Sequence, residues 1–329
     1  METSLDFSRW REKPNGVAYR RWVIVSTGLN QVLRTRFFRA LLIGAWAAGL
    51  LIAVSVFCFS QSLATGGWLE TWAANLGPRP AAVAKALGAV VLMYPDLCIR
   101  ALYTSLFWLQ SFAALWISLV ALTVLVPQLI TRDRASNALT IYLSRPLTST
   151  DYLIGKLGII LGVVALFWTG PLLCGWILSL MVSPGRDFLL YSLSPVGHAL
   201  AFNAIGLVAL ACIALGVSAL SKSSRNTVLI WMGLWVIAAT VAGLPHAPSW
   251  IQRASFSRDL AELRQEAFRL DTALLEAVET LPLIDRSFTR NLAEVGRKAA
   301  PVDTAGAAGG LAALVVLSSV VFFKKLRPE

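Results

Sequence analysis

The sequence predicts an all-α, polytopic membrane protein with six transmembrane helices, an N-terminal interfacial elbow helix and an extracytoplasmic helical hairpin. Hydrophobic residues make up 57% of the 329 residues and charged residues only 14%, whereas soluble domains carry about 25% charged residues. Uncharged apolar runs of about 20 residues, the length that crosses a bilayer, recur along the chain. Because the four cysteines and two histidines show no metal-site or catalytic spacing, we expect neither a metal site nor a catalytic centre.

The N-terminal arm, residues 1–38, ends in a segment with one apolar and one basic side. Residues 17–38 are expected to form an amphipathic helix with Trp22 on its apolar side. The basic side is formed by Arg20, Arg21, Arg34 and Arg36. A helix of this kind lies in the membrane interface against anionic headgroups, so membrane lipid is an expected partner.

Six apolar segments follow and define the predicted spans. They cover 40–60, 104–129, 152–182, 195–220, 227–244 and 306–323. Pro127 and the Gly170-Pro171 pair should bend the second and third spans, since proline cannot donate a helical hydrogen bond. The apolar stretch 81–94 is too short to cross and predicts an interfacial or re-entrant helix. The chain is thus divided into the arm 1–38, spans 1–5 within 39–244, an insert at 245–305, and span 6 with a basic tail at 306–329.

Positive charge is concentrated on one side of these spans. The N-terminal arm with Arg39, the 131–156 loop, the 221–226 loop and the tail hold 17 of the 29 Lys and Arg residues but only 6 of the 18 Asp and Glu residues. Basic loops stay on the cytoplasmic side of a membrane. We therefore expect a bacterial cytoplasmic (inner) membrane protein with both termini in the cytoplasm. Topology explains the net charge of +11, and no nucleic-acid partner is expected.

The insert contains a heptad pattern. Apolar residues three and four positions apart occur at Leu260, Leu263, Ala267, Leu270, Leu274, Ala277 and Leu281. This spacing predicts a long helix, which Pro282 ends before a second helical piece. Such a hairpin could be a cap that packs on its own subunit. Alternatively, residues 250–300 could dock an extracytoplasmic protein or a second membrane subunit.

A polar loop between spans 2 and 3 has a recognisable order of residues. The charged group Arg132-Asp133-Arg134 comes first, then a short apolar helix through Leu139 and Leu143, then Ser144-Arg145-Pro146, then Asp151-Tyr152-Leu153-Ile154-Gly155-Lys156. This order resembles the first cytoplasmic loop of ABC-2-type transporter permeases, whose elbow helix is also similar to residues 17–38. Asp133 and Asn137-Ala138 stand where that family usually has a Glu and a Gly-Thr pair.

The resemblance implies a non-catalytic permease subunit of an ATP-driven exporter. In that family the loop, here residues 131–151, docks on a separate ATPase subunit, and the permease pairs with a second copy or a homologue. Carried over to this chain, the charged side chains Arg132, Asp133, Arg134 and Arg145 would orient the docking. Leu139, Ile141 and Leu143 would fill an apolar groove, beside Ser144 and Pro146. No G-x-x-x-x-G-K-[ST] motif occurs, so ATP and Mg are expected in the partner ATPase and no cofactor in this chain.

Two alternatives remain open from the sequence. The spans contain almost no ionisable residues away from their ends, which disfavours a proton-coupled transporter, an ion channel and an intramembrane hydrolase. An ATP-driven subunit that transmits motion to an extracytoplasmic partner without transport would share every feature above. A membrane-embedded enzyme or scaffold without an ATPase is the third possibility. No substrate-binding residues are indicated.

Overall fold

The computed structural model is helical throughout most of the chain that it describes. It describes residues 16–63, 68–136, 149–183, 185–242, 248, 251, 255–272, 276 and 303–326. Among these residues, six segments are long and apolar enough to cross a membrane, as predicted. They are Arg36–Gln61, Pro95–Thr131, Thr150–Val182, Arg186–Leu220, Ser224–Ala242 and Thr304–Lys324. Within the described residues, the prediction of an all-α chain with six helices long and apolar enough to span a membrane is confirmed.

The helices are numbered here in chain order. They are α1 (Val17–Leu33), α2 (Arg36–Leu63), α3 (Trp68–Leu76), α4 (Pro78–Met93), α5 (Pro95–Val126), α6 (Arg132–Ala135), α7 (Ser149–Phe167), α8 (Thr169–Val182), α9 (Arg186–Leu220), α10 (Ser224–Ala242), α11 (Phe256–Phe268) and α12 (Thr304–Leu326). A π-helical turn, Pro127–Thr131, joins α5 to α6. Span 3 consists of α7 and α8, and α4 corresponds to the short apolar stretch 81–94.

Two spans, the second and the fourth, begin well before the start of their predicted apolar runs. Span 2 begins at Pro95 rather than residue 104, because proline at the first helical position is already set for helix and needs no N–H partner there. Span 4 begins at Arg186, and Pro195 lies buried inside it. Gly185 has a φ of 106°, a left-handed conformation that lets the chain turn sharply between spans 3 and 4.

Span 3 breaks at Trp168, between α7 and α8, close to the predicted Gly170-Pro171 position. Pro171 has no N–H to donate to the Phe167 carbonyl, and its ring would clash with that carbonyl in a regular helix. The helix therefore breaks before the proline. Neighbouring spans bind the carbonyls around the break. Gln110 Nε2 donates to the Trp168 carbonyl at 3.0 Å, and Trp46 Nε1 donates to the Leu166 carbonyl at 3.1 Å. The break is therefore a supported feature of the bundle.

Span 4 lies at the centre of the core and is the most buried of the six spans. Within its most apolar window 61% of the residues are buried, against 17% for spans 5 and 6. The fully buried Trp168 packs edge-on against Phe202 of α9, and Gly206 leaves the room for its ring. Spans 2, 3 and 4 thus form the packed centre, while spans 5 and 6 expose aliphatic side chains of the kind that face lipid.

The helix of the insert is shorter than the heptad pattern predicts. Ser255 caps α11 at its N-terminus, but the helix ends at Phe268 because Arg269 adopts a left-handed conformation with a φ of 40°. The predicted single helix over 257–281 is therefore interrupted at Arg269. Residues 270–272 and 276 are helical again, and the rest of the stretch to 281 lies outside the described residues. The predicted second arm, residues 283–298, lies outside the described residues.

Helix α11 packs against the spans of its own chain. The Phe268 ring contacts Phe202 of span 4 with centroids 5.9 Å apart, and Phe256 contacts Trp235 of span 5 at 4.4 Å. The Arg264 guanidinium lies 5.0 Å from the centroid of the Trp108 ring of span 2, a cation–π arrangement. Burial lowers the pKa of Arg264 from its ordinary value. For α11, these contacts favour the interpretation of the insert as a cap on its own subunit.

Candidate functional site

The polar loop singled out by the sequence leaves the bundle at what we call the basic end, where α5 and α9 end and α10 begins. Three buried hydroxyl groups join these elements. Thr131 donates to the Ser218 carbonyl at 2.9 Å, and its Oγ1 lies 3.0 Å from Oγ1 of Thr227. All three side chains are fully shielded from solvent. The last turn of span 2 is thereby fixed to spans 4 and 5.

Ser218 also supplies the hydrogen bonds that the π-helical turn lacks. Pro127 has no N–H, so the helical ladder is interrupted at this turn. The Ser218 hydroxyl donates to the Val126 carbonyl at 2.8 Å and accepts from the Ile130 N–H at 3.0 Å. A side chain of span 4 therefore holds the segment from which the polar loop starts.

Replacing Ser218 with alanine should lower the free energy of unfolding by about 1–3 kcal/mol, because a buried backbone N–H loses its partner. Thermal unfolding of the purified protein in detergent measures the effect. Ser319→Ala is the matched control, since among the described residues Ser319 bonds the Val315 carbonyl of its own helix and no other group. Equal stability losses in the two variants would contradict the role given to Ser218.

The centre of the candidate site is a compact group of polar side chains around Asp133. The Asp133 Oδ2 atom lies 2.7 Å from Lys156 Nζ and accepts a hydrogen bond from the Tyr152 hydroxyl at 2.6 Å. Lys156 also donates to the Leu129 carbonyl at 3.0 Å. The Asp133 and Lys156 side chains are 15% and 14% exposed, so this ion pair is largely removed from water. The two ends of the polar loop are thus joined where they enter and leave the bundle.

A second ion pair attaches the N-terminal helix to the same place. Arg21 of α1 donates through Nε to Asp151 Oδ1 at 2.7 Å, and its Nη2 lies 2.5 Å from the same oxygen. Asp151 is in the first turn of α7, where a carboxylate is also favoured by the helix dipole. The guanidinium group therefore links the predicted elbow helix directly to the start of span 3.

Close packing continues this link along α1 and α7. A methyl group added at any of three glycines of α7 would meet a side chain of α1; the pairs are Gly155 with Ile24, Gly158 with Val25, and Gly162 with Leu29. Small residues at such positions let two helices approach closely. The pairs advance together along both helices, so α1 and α7 run in the same direction. The small-residue face predicted for span 3 at Gly158 and Gly162 has α1 as its partner.

Between α1 and the ends of spans 2 and 3 lies a cavity of about 540 Å³. Its deeper walls are aliphatic and include Val32, Leu125 and Ile159. Polar and charged groups, including Arg132 and Lys156, line it at the basic end. The volume is within the range of about 300–1,000 Å³ found for ligand pockets.

The structure describes only three of the nine predicted docking residues, Arg132, Asp133 and Arg134. Arg132 is exposed and Asp133 is half-buried, while Arg134 is described by its backbone in α6. The remaining predicted residues, Leu139, Ile141, Leu143, Ser144, Arg145 and Pro146, lie outside the described residues. The Asp133 carboxylate is engaged within the chain by Lys156 and Tyr152, and its docking role stays a prediction.

The predicted elbow residues divide into two groups. Arg21 is bound to Asp151, whereas Trp22, Arg34 and Arg36 are exposed. Arg20 lies in α1 and is described by its backbone. The exposed tryptophan and the exposed arginines are of the types that anchor a helix at a lipid interface.

Three residues that contact the predicted site residues were not foreseen from the sequence, namely Asp151, Tyr152 and Lys156. They belong to the quoted loop pattern but were assigned no role. The sequence signal for two of them was charge, since Asp151 is opposite in sign to Arg21 and Lys156 to Asp133. No spacing rule connects residues 19 or 130 positions apart in the chain.

No cluster of three or more metal-ligating side chains occurs among the described residues. No family model matches the chain, and no curated protein is significantly similar to it in sequence. The function must therefore be inferred from the site itself.

Proposed function

We propose that this chain is the permease subunit of an ABC-2-type transporter, an exporter driven by a separate ATPase subunit that docks on the 131–151 loop. The basic end would lie in the cytoplasm. The observation that carries the proposal is the arrangement around Asp133 and Asp151, which fixes both ends of the loop and the elbow helix to one another. Because both ends of the loop are held, movement of a docked partner would displace the attached spans and not the loop alone.

These contacts support coupling between a docked ATPase and the spans, because they connect the loop to several different helices. Asp133 follows span 2, Lys156 belongs to span 3, and Arg21 belongs to α1. Ser218 adds span 4 through the π-helical turn. A displacement of the loop would therefore act on three spans and the elbow helix together, as alternation between inward- and outward-facing states requires. ATP and Mg would be bound by the partner, since this sequence has no P-loop motif.

A second candidate function is favoured by the packing of α11. A subunit that transmits motion to an extracytoplasmic protein without transport would use the insert as its output. Arg264, Phe256 and Phe268 attach α11 to spans 2, 5 and 4, so motion of the spans would reach the insert. Substrate-stimulated ATPase activity of the reconstituted complex supports the exporter, and activity stimulated only by an extracytoplasmic protein supports the transmitter.

The test is purification of the tagged chain from its native membrane in mild detergent, with mass spectrometric identification of co-purifying proteins. We expect a P-loop ATPase at a fixed stoichiometry, and we expect its loss from the double variant Arg132→Glu, Arg134→Glu. Arg225→Glu is the matched control, because Arg225 is an exposed base at the same end but outside the loop. Absence of an ATPase, or its equal loss from the Arg225 variant, would refute the docking role of the loop.

A further inference from the structure

We propose that the cavity between α1 and the ends of spans 2 and 3 binds one anionic glycerophospholipid of the inner leaflet as a resident ligand. This site differs from the general attraction of a basic helix for a membrane surface, because it is a partly open cavity with a defined lining. The inference assumes the proposed membrane orientation but does not require an ATPase partner.

The inner walls of the cavity suit an acyl chain. They are formed by Val32 of α1, Leu125 of span 2 and Ile159 of span 3. No described charged side chain lines this part of the cavity. Each buried methylene group contributes about 0.8 kcal/mol, so several carbons of one chain suffice to hold a lipid against exchange.

The part of the cavity at the basic end suits a phosphate group. Arg132, Lys156, Gln128 and Ser136 all line it there, and each carries a hydrogen-bond donor. The three charged side chains in the lining are Arg132, Lys156 and Asp133, which leaves one net positive charge. Asp133 offsets Lys156, so the exposed Arg132 supplies the charge that would distinguish an anionic from a zwitterionic headgroup.

The position of the cavity favours a lipid over a soluble ligand. It is bounded on one side by α1. The aromatic side chains Tyr19 and Trp22 of this helix are 55% and 65% exposed. Aromatic side chains of this type are enriched at the level of lipid headgroups. A molecule in the cavity would therefore have its acyl chain beside the spans and its phosphate beside the basic loop.

The experiment is native mass spectrometry of the full-length protein in detergent, titrated with dioleoyl phosphatidylglycerol or dioleoyl phosphatidylcholine. We expect one phosphatidylglycerol per chain, bound at least fivefold more tightly than phosphatidylcholine. Dioleoylglycerol and inorganic phosphate, each offered alone, should bind more weakly than the intact anionic lipid. Equal binding of the two phospholipids, or binding of phosphate alone at the same strength, would overturn the proposal.

Two variants locate the site. Arg132→Gln should weaken phosphatidylglycerol about fivefold, the effect of one basic residue beside an anionic lipid, and Arg225→Gln should leave binding unchanged. Thr27→Trp, which places an indole ring in the cavity from its α1 wall, should abolish the single bound lipid. Equal effects of the Arg132 and Arg225 variants, or full binding to a folded Thr27→Trp protein, would refute the site. Because no ATPase is present, these outcomes are separate from the fate of the proposed transport function.

Discussion

Replacing Asp133 with asparagine is expected to lower the free energy of unfolding by about 3 kcal/mol, because it leaves the Lys156 ammonium group largely buried without a counter-charge. Lys156 is 14% exposed and lies 2.7 Å from the carboxylate. The Leu129 carbonyl would remain its hydrogen-bond acceptor but would not neutralise it. The same substitution should release the loop from span 3 and reduce co-purification of the expected ATPase.

A double-mutant cycle isolates this ion pair from other effects of the substitutions. Unfolding midpoints in detergent would be compared for Asp133→Asn, Lys156→Met and the double variant. We expect the double variant to recover most of the stability lost by Asp133→Asn, because no unpaired charge is left in the site. Additive losses would show that Asp133 and Lys156 do not stabilise each other, and the coupling role of the site would then lose its basis.

Substituting alanine for both Gly49 and Gly175 should prevent spans 1 and 3 from packing. A methyl carbon added at Gly49 would overlap the Pro171 carbonyl, and one added at Gly175 would overlap the Gly49 carbonyl. Both obstacles are backbone atoms that no rotamer change can move. Overpacking of this kind costs about 1–3 kcal/mol at each site, which is a large part of the stability of an ordinary domain.

Fluorescence-detected size-exclusion chromatography of the expressed variants would measure the folded fraction. Each single variant should lose a large part of the folded peak, and the double variant should lose nearly all of it. Gly44→Ala is the control on the same helix α2, because an added methyl group there meets no atom within 4 Å, and alanine is the better helix former. A folded peak of normal height for the double variant would show that α2 and α8 do not approach as closely as described.

Much of the architecture was accessible from the sequence because it depends on local composition. Apolar runs with no charge fixed the number of spans, and Pro127 and Pro171 indicated the two irregular turns. The small-residue face of span 3 was also evident from Gly158 and Gly162. Its partner was not, since a small-residue pattern indicates close packing without specifying the helix that provides it.

The polar site and the insert were predicted less well, for different physical reasons. The pairs Lys156–Asp133 and Arg21–Asp151 join residues that tertiary packing alone brings together. In the insert, the heptad pattern reports side-chain hydrophobicity and not backbone conformation. The pattern therefore predicts a continuous helix through Arg269, whereas the positive φ of that residue interrupts the helix.

The break in span 3 has a counterpart in the N-terminal helices. Helix α1 follows α7 from Asp151 to Gly162, and α2 follows α8 through Gly49 and Gly175. The α1–α2 junction and the α7–α8 break come together where the Phe38 and Phe167 rings pack with centroids 6.5 Å apart. Helices α1 and α7 thus form one packed pair, and α2 and α8 form a second. The two pairs meet at this aromatic contact. If the proposed ATPase displaces the basic end, the angle between the two pairs would change at this contact, and span 1 would move together with α8.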